Sequence, residues 1–258
     1  MYKPRILFRA RQVAAVLAAV SLTGCSANCT TPSFRSGPPP GSGALSCAQN
    51  AKVGVGVPLG TASTFAVLAA STVTNSGLTV VTGDLGLSPG LSVVGFPPGV
   101  VTGGTIHAGD PVAAQAQLDL TKAYNNAAGR VNPIAIPADI GSKVIGPGVY
   151  RAPVSLQITG NVTLDGKNDP NSVFIFQVSS TLTTAVNSTV TLINQASACN
   201  IFWQVGSSAT LNTGSSFDGI ILAQASISLG TGAVVNGSVL ARTGAVTLLT
   251  NTVTNAGP

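Results

Sequence analysis

Catalysis starts from groups that can give or take a proton, and this chain has few. Its acidic side chains are seven aspartates with no glutamate, and His107 is the single histidine. His107 sits in Gly103-Gly104-Thr105-Ile106-His107-Ala108-Gly109, just ahead of a helical pattern, where a structural hydrogen-bonding role is expected. No Ser-His-Asp set is evident from spacing, and a glycoside hydrolase would want two paired carboxylates. Asp165 and Asp169 form the closest loop pair, in Leu164-Asp165-Gly166-Lys167-Asn168-Asp169-Pro170, which reads as a turn with Asx hydrogen bonds. A calcium loop would need more oxygen ligands at regular spacing. Gly103-Gly104 lacks the lysine and helix context of a phosphate loop. The four cysteines lack zinc spacing. Cys29 and Cys47 are placed to pair in an oxidising compartment, and Cys199, in an apolar run, reads as a buried free thiol. The expectation is a binding protein, not an enzyme, with no cofactor, metal or small-molecule substrate.

Hydroxyl groups are what remain. Leu182, Leu211, Leu229 and Leu248 each have a threonine two places on: Thr184, Thr213, Thr231 and Thr250. If the segments stack as strands, these threonines form a column with about 4.7–4.9 Å between members. Restricted χ1 keeps such an array regular, and hydroxyls beside methyls can hold ordered water.

The elements that would carry this column show in an internal repeat. Phe217-Asp218-Gly219 recurs as Val235-Asn236-Gly237, and Ile221-Leu222-Ala223 as Val239-Leu240-Ala241, both at an offset of 18. Phe174-Ile175-Phe176-Gln177-Val178 is echoed by Ile201-Phe202-Trp203-Gln204-Val205. Three short strands per 18–19 residues make about one turn of a three-sided β-helix, whose turns share a continuous core only when stacked. Gly214, Gly219, Gly232 and Gly237 suit the corners. One segment breaks the pattern. Asp110 suits an N-cap, Pro111 the first helical position and Gly129 the C′ position. Between them Ala113, Ala116, Leu120, Ala123 and Ala127 mark one apolar face at helical spacing, a packing face for a sheet.

Residues 58–258 carry this pattern, and the chain ahead of them reads differently. Lys3, Arg5, Arg9 and Arg11 precede a short apolar core, Val13 to Val20, and then Leu22-Thr23-Gly24-Cys25. This resembles a lipoprotein signal over residues 1–24, which implies cleavage before Cys25 and lipid attachment to its thiol. Residues 25–57, rich in Pro, Gly and Ser, read as a tether from the lipidated cysteine. Without those four basic residues, eight remain against seven acidic ones. The near-neutral remainder gives no argument for nucleic acid. After residue 24 no apolar run reaches the roughly 18–20 residues of a spanning helix. The expected location is extracellular, with the membrane reached through the lipid.

Several blocks together resemble the microbial ice-binding protein family over roughly residues 58–258. They are Leu59-Gly60-Thr61-Ala62-Ser63-Thr64-Phe65-Ala66-Val67-Leu68-Ala69, Gly83-Asp84-Leu85-Gly86, Pro147-Gly148-Val149-Tyr150 and Cys199-Asn200-Ile201-Phe202-Trp203-Gln204-Val205-Gly206. The resemblance implies an all-β, discontinuous three-sided β-solenoid with one long α-helix alongside, and adsorption to ice. It also implies a Thr-(Ala/Gly)-x-(Thr/Asn) motif on successive turns of one face. Thr184-Ala185-Val186-Asn187 matches in full, and Thr213-Gly214-Ser215-Ser216 has Ser for Thr. Thr231-Gly232-Ala233-Val234 has Val at the last place, and Thr250-Asn251-Thr252-Val253 is weaker still. The implied ice-contacting set is therefore Thr184, Asn187, Thr213, Ser216, Thr231, Val234 and Thr250, with ice or ordered water as the partner. An envelope-binding or adhesion solenoid without ice activity is the alternative.

Overall fold

A computed structural model describes residues 56–256. Strands no longer than eight residues pair entirely in parallel, which only a chain that winds can achieve without long crossovers. Three sheet faces result. On the first, Gly148–Ala152, Phe174–Val178 and Ile201–Val205 run side by side. The second is a seven-stranded sheet from Leu156–Ile158 to Ser92–Val94. The third contains Asn161–Asp165, Thr189–Ile193 and Thr252–Thr254. Two long strands, Ser216–Ala223 and Val234–Ala241, turn from the third face into the first. They bend at Gly219 and Gly237, which are paired with each other and have φ of 114° and 148°. A Cβ on Gly237 would strike the Gly219 carbonyl, so the corner needs glycine.

The repeat read from the sequence is the repeat of the structure. Phe217, Asp218 and Gly219 lie in register with Val235, Asn236 and Gly237, and all five residues of Phe174–Val178 with those of Ile201–Val205. Aromatic rings stack along the interior. Phe176 lies 4.0 Å from Trp203 with rings nearly parallel, Tyr150 lies beyond Phe176, and Phe217 packs on the other side of Trp203. The indole N–H, which a dry core would strand, donates to the Asp218 carbonyl at 3.1 Å.

Coil order departs from chain order, as the family resemblance implies. The first strand, Phe65–Ala69, adds to Val234–Ala241 through Val67–Val239 and Leu68–Leu240. Thr252–Thr254 takes Val80–Thr82 as its next neighbour. The coils of residues 65–108 thus extend the stack beyond its C-terminal coil. The chain must then travel back to the opposite end, and α1 (Pro111–Ala128) makes the return. Its buried residues are the five of the apolar stripe. Four of them, Ala116, Leu120, Ala123 and Ala127, pack under Phe65, Leu68, Ile175, Phe202, Ile220, Leu222 and Leu240, which the winding gathers from five coils of the first face.

Each end of α1 is fixed by a side chain. Asp110 accepts from the Ala113 N–H at 2.8 Å and pairs with His107 Nδ1 at 2.7 Å. That is the hydrogen-bonding role expected of the histidine. Gly129 has φ of −83°, so the helix ends without a left-handed residue. Gln177 takes the exposed carbonyls instead, donating to those of Ala127, Ala128 and Arg130 at 2.8–3.2 Å. Val57 is already buried in the cluster under the helix. Cys199 is disulfide-bonded, which corrects its reading as a free thiol. Cys25, Cys29 and Cys47 lie outside the described residues. An apolar run showed that Cys199 is buried but not what it bonds.

The helix and the first 3₁₀ turn, Gly60–Thr64, meet at Asp119. Its carboxylate takes Lys122 Nζ at 2.9 Å and both the N–H and hydroxyl of Thr61. Lys122 first, then Thr61, hold this carboxyl well below the usual range. A depressed carboxylate stabilises the fold fully above the unfolded value near pH 4, and that contribution is lost as the pH falls toward the folded one. Asp119→Asn is therefore expected to cost about 1 kcal/mol at pH 7, a modest figure because Lys122 is largely exposed. It should also shrink the loss of stability between pH 5 and pH 2. Urea titrations at several pH values measure both, and parallel pH profiles for variant and wild type would contradict the assignment.

Candidate functional site

The second face carries the regular hydroxyl array. Its strands bury their first and third residues and turn the middle one outward, as in Ala209-Thr210-Leu211 and Ile227-Ser228-Leu229. Register then sets the outward residues in line. Gln157 is abreast of Thr183, Thr183 of Thr210, Thr210 of Ser228, Ser228 of Thr247, Thr247 of Thr74, and Thr74 of Val94. Five successive coils thus present Thr183, Thr210, Ser228, Thr247 and Thr74, about 4.8 Å apart. Two residues earlier along each coil, roughly 6.6 Å away, stand Ser155, Thr181, Ser208, Ser226, Ala245 and Thr72, a second hydroxyl row broken at Ala245. Thr181 donates to Ser155 at 2.8 Å, and Ser226 and Ser208 accept backbone N–H groups of the next coil. These bonds fix hydroxyl directions. No ionisable side chain interrupts either row.

Beside this face, where the chain turns toward the third, lies the corner that holds the motif residues. Asn187, Gly214, Gly232 and Thr250 all have positive φ, between 52° and 71°. They form one column: Asn187 N–H donates to the Thr213 carbonyl, Gly214 N–H to that of Thr231, and Gly232 N–H to those of Leu249 and Thr250. The residues ahead of them, Val186, Thr213, Thr231 and Leu249, are exposed and neighbour one another.

The expected column of four threonines is therefore corrected. Thr213 and Thr231 are stacked neighbours at the exposed corner. Thr184 is not with them: it is 1% exposed and points inward, level with Ile158. Leu182 pairs with Ala209 and not with Leu211, so alignment on leucines slips this coil by two residues. A slip of two preserves the alternation of inward and outward residues, so the hydrophobic pattern cannot register it. Thr250 is displaced for a different reason. Its turn is one residue shorter than that of the preceding coil, which puts it in the left-handed place of Gly232. Ser216 and Val234 are in register with each other and open the third face, with Thr189 and Thr252 as flanking partners. The structure brings together Thr213 with Thr231, Ser216 with Val234, and Asn187 with the backbone of Thr213. It does not set all seven on one sheet face.

Thr183, Thr210, Ser228, Thr247 and Thr74 were missed, although a signal was present. Leu-Thr-Thr, Ala-Thr-Leu, Ile-Ser-Leu and Val-Thr-Leu each set a hydroxyl residue directly after an inward apolar one. The period of two alone nominates that middle residue as outward.

The carboxylates are engaged locally. Asp165 accepts from the Lys167 N–H, Lys167 Nζ at 2.7 Å and Asn194 Nδ2, and its carboxyl is pulled down to about 2, chiefly by Lys167. Asp169 accepts from the Asn171 N–H. This is the turn with Asx bonds expected of the segment.

Residues 67–254 match the model of the ice-binding-like family. The chain is 52% identical over 200 residues to the ice-binding protein of Nostoc sp. (strain HG1), covering 77% of this chain and 74% of that protein. It superimposes on the crystal structure of an ice-binding protein from an Antarctic biological consortium with a TM-score of 0.76. The identity there is 48%, covering 77% of this chain and 90% of the other. The ice-binding protein of the Antarctic ascomycete Antarctomyces psychrotrophicus is similar at 41% identity and a TM-score of 0.74, over 77% of this chain and 98% of that one.

Proposed function

The chain belongs to the ice-binding-like family, and from that premise we propose that it adsorbs to ice through the second face of its solenoid. One observation carries the reading: five hydroxyl residues, Thr183, Thr210, Ser228, Thr247 and Thr74, in unbroken register on a face without charge. Each threonine offers a hydroxyl that anchors a water molecule and a methyl that leaves its neighbours little choice but to bond to one another. A backbone fixed by parallel pairing on both sides makes the spacing of those waters permanent, so the surface meets ice already ordered. A charged side chain on this face would hold its own hydration shell and break the array. Thr213 and Thr231 extend the surface at the corner. Ice held at these places can grow only between adsorbed molecules, where its front curves and advance stops. The test is thermal hysteresis and inhibition of ice recrystallisation by the purified protein. Absence of both would defeat the proposal and favour the adhesion reading.

The finer proposal is that this domain is held at a bacterial cell surface by lipid on Cys25. It rests on the short apolar segment followed by Leu22-Thr23-Gly24-Cys25, all outside the described residues. Two or three acyl chains anchor firmly where one is marginal. Cells expressing the full chain and fed labelled palmitate should label the wild type and not Cys25→Ala, and equal labelling of the two would remove the anchor.

A further inference from the structure

Thr184 begins the full family motif yet faces the interior, at a level where the next coils use Leu211, Leu229 and Leu248. Leucine fills that place without a polar atom to satisfy, so the hydroxyl of Thr184 needs its own account. It accepts from the Asn212 N–H at 2.8 Å and lies 2.7 Å from Ser215 Oγ. Ser215 in turn reaches the Asn212 carbonyl at 2.6 Å, which leaves the Thr184 hydroxyl as donor to Ser215. The Thr184 carbonyl accepts from Asn212 Nδ2 at 2.7 Å. One buried side chain thus binds both ends of the turn Asn212-Thr213-Gly214-Ser215. The two residues between those ends are Thr213, exposed at the corner, and Gly214, whose φ is 68°. Two coils on, Asn251 does similar work, donating to the carbonyls of Gly230 and Ala233 across the turn that displays Thr231.

We infer that Thr184 is a positioning residue for ice adsorption: from inside, it fixes the turn that presents Thr213 beside the hydroxyl row of the second face. The inference rests on the ice-binding reading. Valine has nearly the shape of threonine, so Thr184→Val removes the bonds and keeps the packing. The amides of Asn212 and Thr213 should then exchange faster with solvent, and thermal hysteresis at matched concentration should fall about twofold or more, as expected when a contact surface loses its supporting bonds. Ser215→Ala, which removes the same bond from the other side, should behave alike, and Thr184→Ser should restore activity. Val162→Ala, a buried change under the third face, is the control for lost stability and should leave hysteresis at the wild-type level. Wild-type hysteresis in Thr184→Val, an equal loss in Val162→Ala, or no recovery in Thr184→Ser overturns the inference while ice binding stands. A wild-type protein without any effect on ice overturns the reading and the inference together.

Discussion

Replacing Leu120 with aspartate should remove most of the stability of the folded domain. Leu120 is fully buried at the centre of the α1 stripe, packed under apolar side chains from separate coils. Truncation to alanine is expected to cost about 2–5 kcal/mol, from lost transfer energy and the cavity left behind. Aspartate adds a carboxylate with no partner in a cluster built of Ala, Leu, Ile, Val and Phe side chains, a penalty of several further kcal/mol unless the group takes up a proton. Against a total of about 5–15 kcal/mol, the sum leaves little. The helix is also the return path between the two ends of the stack, so its detachment uncovers the whole first face. Circular dichroism melts of the wild type, Leu120→Ala and Leu120→Asp should fall in that order, with Leu120→Asp largely unfolded near room temperature. If Leu120→Asp melted within a few degrees of wild type, α1 would not be packed as described.

That helix was legible because its signals are local. Asp110, Pro111 and a stripe at helical spacing lie within one short segment. The coil repeat was legible too, since residues 18 apart fall in register with no insertion between them. What failed was alignment across coils whose turns differ in length. Leu182 and Leu211 look equivalent, but equivalence in a solenoid is set by backbone pairing, and Leu182 pairs with Ala209. A small inward residue does not stand out in a sequence, so the nearest leucine drew the alignment. The second-face row was hidden differently. Its threonines and serines are common residues on strands, and only their simultaneous register on five coils distinguishes them. That register depends on Thr72–Ser76 joining the far side of Val246–Leu249, two segments more than 150 positions apart in the chain. The disulfide at Cys199 was illegible because chain separation carries no sign of spatial proximity.

The largest functional effect is expected from Thr210→Tyr. Thr210 stands between Thr183 and Ser228 in the hydroxyl row, inside the run and not at its end. It points away from the core between two buried neighbours, Ala209 and Leu211. Tyrosine is well tolerated on the outer face of a strand, so the melting temperature should stay within a few degrees of wild type. Its ring, however, rises several ångströms above the threonine methyls. Ice that meets the ring cannot reach the hydroxyls on either side, so a single substitution removes several contacts at once. Thermal hysteresis should drop to the level of buffer, and recrystallisation inhibition should vanish. Thr210→Val separates the two parts of the side chain. It keeps the methyls and the outline and removes one hydroxyl, so a partial loss is expected. Val234→Tyr supplies the control, since Val234 is exposed where the third face begins and its ring would leave the second-face row open. It should retain most of the wild-type hysteresis. An undiminished Thr210→Tyr, or equal loss in Thr210→Tyr and Val234→Tyr with both folds intact, would move the ice contact off the second face and back toward the corner residues Asn187, Thr213, Ser216 and Thr231.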